Sequence, residues 1–200
     1  MHCIAIILLS YLLGCFPSSF IVVKCFSGKD IRKEGTGKTG TANTLDVLGR
    51  KFPALLVLLA DLTKGVLAVL LAEKFAGAEL VPWAAIAACL GHNKNVFLRF
   101  SGGRGLACAA GSLLSVNYLF VLLWLMAWGV GHLCRLNMDR KNIIASALSI
   151  VLALPFPVAF VDVFATFIEI PVLSLQLMVI ALNLLALSSY LPSQKKKSLS

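Results

Sequence analysis

Long apolar stretches separated by short charged connections dominate the chain, at about 3–23, 53–73, 80–98, 105–117, 118–134, 142–161 and 163–191. Most approach the ~20 residues that one helical crossing of a bilayer needs. The pattern predicts an all-α fold, a polytopic integral membrane helical bundle with about seven spans. The 105–117 stretch is short and rich in small residues, so five, six and seven crossings all fit. Pro53, Pro82, Pro155, Pro157 and Pro171 fall at or near the proposed span ends, where they interrupt a helix at little cost. A helix that is apolar on every side has almost no moment, so periodicity says little about which face points inward. The first segment, Ile4 to Val23, has no basic region ahead of it and no A-x-A site after it. It is expected to be a retained helix rather than a cleaved signal.

The charges orient this arrangement. Sixteen of the 18 lysines and arginines fall in alternate connections, at 24–51, 94–104 and 135–141 and in the tail at 195–197. The opposite connections carry Glu73, Glu79, Asp162 and Glu169. Because basic residues are retained on the cytoplasmic side, we expect, with seven spans, the amino terminus outside, the carboxyl terminus inside, and both glycine-rich segments at the cytoplasmic face of a multi-pass membrane protein. With 59% hydrophobic and 14% charged residues and a mean hydropathy of +0.91, residues 1–200 read as one membrane domain. Any chemistry must then sit in short loops or at helix ends. A net charge of +9 without a polar body excludes nucleic acid as the partner and favours anionic headgroups or a phosphate-bearing substrate. The six cysteines are scattered singly among apolar neighbours, which makes them small core residues rather than a disulfide frame or a metal site.

Four segments carry candidate chemistry. In the first, Gly35-Thr36-Gly37-Lys38-Thr39-Gly40-Thr41-Ala42-Asn43, the Gly37-Lys38-Thr39 run resembles the end of a P-loop. The leading glycine of that motif would fall on Arg32, and no apolar strand precedes it, so the nucleotide reading fails. Closely spaced glycines still allow successive backbone N–H groups to face one anion. The second segment runs from Gly91-His92-Asn93 to Ser101-Gly102-Gly103-Arg104-Gly105 and opens a helix of small residues, a plausible phosphate cradle at a helix amino terminus. Arg104 offers a bidentate clamp, and His92 either orients the loop or acts as a base. In the third, Asp61 and Lys64 share one helical face, as an ion pair or as the wall of a polar cavity. A transporter reading draws on the same pair. The fourth, Arg140-Lys141-Asn142 with Ala145-Ser146, enters a later span from the basic side.

In this order the segments resemble the bacterial acyl-phosphate:glycerol-3-phosphate acyltransferase family, PlsY. The likeness also takes in Tyr11-Leu12-Leu13-Gly14 with Pro17, Gly28 to Arg32, and Leu48-Gly49-Arg50-Lys51, and covers roughly positions 11 to 150. The resemblance implies transfer of a fatty acyl group from acyl phosphate to the 1-hydroxyl of glycerol 3-phosphate, beside membrane lipids, with no cofactor and no metal. It places Thr36, Asn43 and His92 at the catalytic centre. Substrate binding falls to Gly35, Gly37, Lys38, Gly40, Gly102, Gly103, Arg104, Gly105, Arg140 and Ser146. No H-x-x-x-x-D motif of other acyltransferases occurs. An acyl phosphate is already activated, so direct attack by the glycerol hydroxyl is expected, with a substrate phosphate taking the proton.

The chain departs from the family's first loop, G-S-G-N-x-G-A-T-N-V-x-R, at Thr36, Lys38, Ala42 and Asp46, and from K-G-G-K-G at Ser101 and Arg104. Ile143 stands where a serine is expected, and the tail motif R-H-x-x-N-I-x-R-L-x-x-G-x-E is expected to be absent. These changes leave a second reading open, a catalytically silent paralogue that binds a phospholipid precursor or a partner enzyme.

Overall fold

A computed structural model describes residues 2–154, 165–166 and 168–190, and their regular structure is helical apart from an isolated bridge between Asn117 and Ala165. Pro155, Pro157, Asp162 and the lysines at 195–197 lie outside the described residues. The first apolar stretch is not one straight helix. It divides into α1 (His2–Gly14) and α2 (Ser18–Ser27) around Pro17, which has no N–H to donate and pushes the preceding residue out of helical geometry.

Helix α3 (Thr41–Leu48) stops at Gly49, whose left-handed φ of 63° lets its N–H close onto the Leu45 carbonyl. The 26 residues of α4 (Lys51–Ala76) extend about 39 Å at 1.5 Å per residue, with Pro53 harmless in the first turn. Pro82 starts α5 (Val81–Asn93) in the same way. This helix ends at Asn93 rather than running on to 98, because Asn95 caps a separate 3₁₀ turn, Val96–Leu98, through the Phe97 N–H.

The remaining helices are α6 (Leu106–Val116), α7 (Leu119–Leu133), α8 (Met138–Ala153) and α9 (Val172–Ser188). Pro171 precedes α9, which begins at Val172. Helix α8 begins four residues ahead of its apolar stretch because Asn137 accepts the Arg140 N–H at 2.9 Å and caps it. Among the described residues, only the α1–α2 segment and α4 are long and apolar enough to cross a membrane by themselves.

Side-chain contacts give the directions. Trp128 and Trp124 of α7 bond to Asn142 and Ser146 of α8, so these two helices run antiparallel. Gln176 at the start of α9 reaches the Leu154 carbonyl just past α8, while Tyr190 just past α9 meets Asn142 near the start of α8. The ends of α5 and α9 also meet, through Asn93 Nδ2 and the Leu185 carbonyl at 3.1 Å. Helices α7, α8 and α9 therefore alternate direction, and the basic connections before α3, before α6 and before α8 meet through Thr39–Gly102 and Arg104–Asp139.

Small residues set the closest approaches. A Cβ on Gly65 of α4 would overlap the Cys108 carbonyl of α6, and one on Gly111 of α6 would overlap the Leu62 carbonyl of α4. These backbone-to-backbone contacts are how helices hold together where lipid removes any hydrophobic gain from association. Toward the opposite end Val69, Ala85, Leu113, Phe120, Met178 and Leu182 form one buried cluster.

Candidate active site

The loop between α2 and α3 is built from its own short polar side chains. Asp30 accepts the Arg32 N–H at 3.0 Å and takes the Arg32 guanidinium at 3.0 and 2.7 Å. That hydrogen-bonded charge holds the Asp30 carboxyl at about 2. Gly35 and Gly37 take left-handed φ values of 54° and 69°, which turn the chain back over α3. Asn43, in the first turn of α3, is buried beneath that turn. Its Oδ1 accepts the Thr36 N–H at 2.9 Å, and its Nδ2 donates to the carbonyls of Lys38 at 2.9 Å, Glu34 at 3.2 Å and Ile31 at 3.3 Å. One amide thus ties the loop at four points.

The loop between α5 and α6 is fixed from outside. Asn95 Nδ2 donates to the Cys15 carbonyl at 2.6 Å, and the Tyr11 hydroxyl donates to the Lys94 carbonyl at 2.7 Å, so the α1 end holds this loop down. Arg99 and Phe100 accept left-handed φ values of 54° and 59°, with the Phe100 N–H on the Asn95 carbonyl at 2.7 Å. The two loops are joined where the Thr39 N–H meets the Gly102 carbonyl at 3.4 Å, and the next residue, Gly103, is held to the end of α5 by its N–H on the His92 carbonyl at 3.1 Å. A side chain at 103 would strike the His92 ring and the Thr39 carbonyl. The junction brings Lys38 near other cations. Burial first, then the charges of Arg104 and Lys94, push the Lys38 ammonium below its ordinary value.

Beneath the loops lies a buried charged group. Asp61 Oδ1 receives Lys64 Nζ at 2.6 Å and the Ser18 hydroxyl at 2.6 Å, and His92 Nδ1 stands 3.6 Å away. Lys64 also reaches Ser18 Oγ at 3.1 Å and lies over the Phe16 ring. The break at Pro17 places Ser18 here.

Between the loops and α6–α9 opens a cavity of about 520 Å³. Its loop end carries Lys38, Asn43, His92 and Arg104, and its body carries Leu62, Leu113, Phe120, Val121 and Leu125. Arg104 Nη2 bonds Asp139 Oδ1 at 2.6 Å, and its guanidinium lies 4.5 Å from the Tyr190 ring centre. Arg104 Nε and Thr41 Oγ1 are buried without a hydrogen-bond partner. Among the described residues no three His, Cys, Asp or Glu side chains gather as metal ligands would.

Of the residues singled out in the sequence, Thr36, Lys38, Gly40, Asn43, His92, Gly103, Arg104 and Gly105 come together on the cavity wall. Gly35, Gly37 and Gly102 shape the loops behind it. Arg140 is exposed on the first turn of α8, and Ser146 is buried with its hydroxyl accepting Trp124 Nε1 at 3.2 Å. Neither lines the cavity.

Asp139, Tyr190 and Asn183 were missed. The signal for Asn183 was present, since Asn183-Leu184-Leu185-Ala186-Leu187 keeps the asparagine and final leucine of N-I-x-R-L, with alanine for the arginine. Asn183 lines the cavity opposite the loops' own helices.

Comparison with known proteins covers nearly the whole chain. Residues 4–191 match the family model described as glycerol-3-phosphate acyltransferase. Glycerol-3-phosphate acyltransferase 2 of Moorella thermoacetica is 37% identical over 162 residues, covering 81% of this chain and 83% of the relative. The glycerol-3-phosphate acyltransferase of Synechococcus elongatus is 46% identical over 123 residues, 57% of this chain and 58% of that one. Among solved structures, PlsY (YgiH), an integral membrane glycerol 3-phosphate acyltransferase in its glycerol 3-phosphate form, superposes with a TM-score of 0.76 at 25% identity, covering 94% of this chain and 88% of that one. Sequence and backbone agree from the first helix to the last, and the chain belongs to the glycerol-3-phosphate acyltransferase family.

Proposed function

We propose that the protein transfers a fatty acyl group from acyl phosphate to the 1-hydroxyl of glycerol 3-phosphate, forming 1-acylglycerol 3-phosphate and inorganic phosphate in phospholipid synthesis. The observation that carries this reading is the division of one cavity into a cationic, loop-lined end and an apolar body. Both substrates bear phosphate and one bears an alkyl chain. Lys38, Arg104 and the free Thr41 hydroxyl are donors for the anions, and the leucines and Phe120 of the body suit the chain. The glycerol 3-phosphate form of the neighbouring PlsY structure supports the acceptor.

Acyl phosphate needs no nucleophile from the protein, because phosphate is already a good leaving group. The loops hold donor and acceptor in line and stabilise charge on the departing phosphate. The proton of the attacking hydroxyl passes to a substrate phosphate oxygen. Thr36 sits at the loop apex. Asn43 acts by holding that loop, and His92, backed by Asp61, orients the junction with Gly103. In this reading the chain crosses the inner membrane seven times, with the amino terminus outside and the loops at the cytoplasmic face. The clustering of the basic connections at one end supports it.

One observation favours the silent paralogue. Asp46 adds a carboxylate to the cavity wall, where it opposes a substrate phosphate. The test is turnover by purified protein given palmitoyl phosphate and glycerol 3-phosphate, with acyl-CoA and acyl-carrier protein as alternative donors. Release of phosphate with lysophosphatidic acid from acyl phosphate alone is expected. Folded protein inactive with every donor, beside an active relative, would leave the binding reading in place.

A further inference from the structure

We infer that Tyr190 and Asp139 are positioning residues that aim the Arg104 guanidinium at the substrate phosphate, an inference that rests on the acyltransfer reading of this cavity. An arginine has a planar cation with a face and an edge, and its value as a phosphate ligand depends on where both point. Here the face lies against the Tyr190 ring, 4.5 Å from its centre, and Nη2 is bonded to Asp139 Oδ1 at 2.6 Å. Nε is left buried and without a partner, a charged donor held in readiness on the wall of the cavity.

The holder is itself held. The Tyr190 hydroxyl accepts Asn142 Nδ2 at 2.8 Å, and Asn142 Oδ1 accepts Trp128 Nε1 at 3.0 Å. A chain of contacts thus runs from α7 through α8 to the end of α9 and fixes the plane against which the guanidinium stacks. Nothing in the α5–α6 loop could do this, since Gly103 and Gly105 on either side of Arg104 have no side chains. Asp139 is half exposed, with 55% of its side chain accessible, so the phosphate can approach the pair from the open side.

The experiment compares wild type, Tyr190→Phe, Tyr190→Leu and Asp139→Ala by calorimetric titration with inorganic phosphate and by steady-state kinetics with palmitoyl phosphate and glycerol 3-phosphate. Loss of the ring in Tyr190→Leu is expected to weaken phosphate binding about tenfold, the size of a desolvated cation–π contact. It should raise KM for the phosphate substrates more than it lowers kcat. Tyr190→Phe keeps the ring and should stay within about threefold of wild type. Asp139→Ala frees the edge and should also weaken binding.

Thermal unfolding in detergent controls for misfolding, and Tyr190→Met, which keeps bulk without a ring, replaces Tyr190→Leu if the latter does not purify folded. Equal phosphate binding by wild type and the ringless variant, or equal losses in Tyr190→Phe and Tyr190→Leu, would overturn the inference. So would a wild type that binds no phosphate. Intact phosphate binding without turnover would sink the acyltransfer reading and leave the positioning of Arg104 standing.

Discussion

Removing the charge of Asp61 should destabilise the fold far more than removing both charges of its pair. Asp61 and Lys64 are 1% and 5% exposed, and their contact at 2.6 Å is the main compensation for an ammonium inside a helix bundle. In Asp61→Asn, Lys64 loses its counter-charge and keeps only neutral partners, the amide oxygen at 61, the Ser18 hydroxyl at 3.1 Å and the Phe16 ring at 5.8 Å. An uncompensated buried charge costs about 3–5 kcal/mol, and the ring returns about 0.5–2 kcal/mol of that. The net loss is about 1–4.5 kcal/mol, or roughly fivefold to a thousandfold or more in the folding equilibrium at about 1.4 kcal/mol per decade. Lys64→Met leaves a carboxylate that still has Ser18 and the nearby His92, so its cost is smaller. The double variant Asp61→Asn with Lys64→Met carries no charge and should fall within about 1 kcal/mol of wild type. Unfolding in mixed micelles of rising SDS fraction, followed by tryptophan fluorescence, measures all four proteins. A coupling energy below about 0.5 kcal/mol, the range of independent sites, would refute the claim that the two charges sustain each other.

Gly103→Ala should cut turnover about a hundredfold by displacing the loop junction, since the added methyl meets His92 and Thr39, while Gly49→Ala, with open space around a φ of 63°, should lose only about 1–2 kcal/mol of stability and keep its KM. Kinetics and thermal unfolding of both variants check this. Asp46→Asn should lower KM for glycerol 3-phosphate up to about fivefold at low salt, with the gain shrinking as salt rises. For Lys38 the folded value lies below the ordinary 10.5. Its burial and repulsion therefore penalise the substrate-free fold while it is charged, and stability should rise as pH climbs through the lowered value toward 10.5. A bound phosphate restores the proton, so phosphate binding at alkaline pH should take up protons. Calorimetry in two buffers of different ionisation heat measures that uptake, and Lys38→Met should abolish it.

Much of the cavity's loop end was legible because its determinants are local. Glycines spaced within a few residues of Lys38 and Arg104 announce a backbone that can close on an anion, and both runs did so. Helix phase was not legible. Arg140 and Lys141 are neighbours in sequence, yet one residue is a 100° turn of the helix, and it is Lys141 that is buried over the Trp128 ring while Arg140 faces out. In a helix apolar on all sides nothing in the pattern chooses between them. Pro17 could have been read as a break in the first span, since it lies well inside that apolar stretch. The partners of Arg104 come from α8 and α9, remote in sequence, and only the folded chain shows Asp139 and Tyr190 beside it. Asn183 comes from α9, as remote in sequence from the two loops as Tyr190 is, and only the folded chain shows it on the cavity wall.

The shortness of α6 bears on how the enzyme meets its donor. Eleven residues make about 16 Å of helix, roughly half of a ~30 Å hydrocarbon layer, before the chain bends at Asn117 and turns back as α7. With the α6–α7 turn near the opposite surface, as the proposed topology requires, the α5–α6 loop would sit sunk toward the bilayer and the cavity's leucines would lie at the depth of lipid tails. A donor with an alkyl chain can reach the site sideways, without leaving the leaflet. Its effective concentration is then a number per unit of membrane area, not per unit of volume, and diluting the bilayer with inert lipid should slow the reaction even when the amounts in the tube are unchanged.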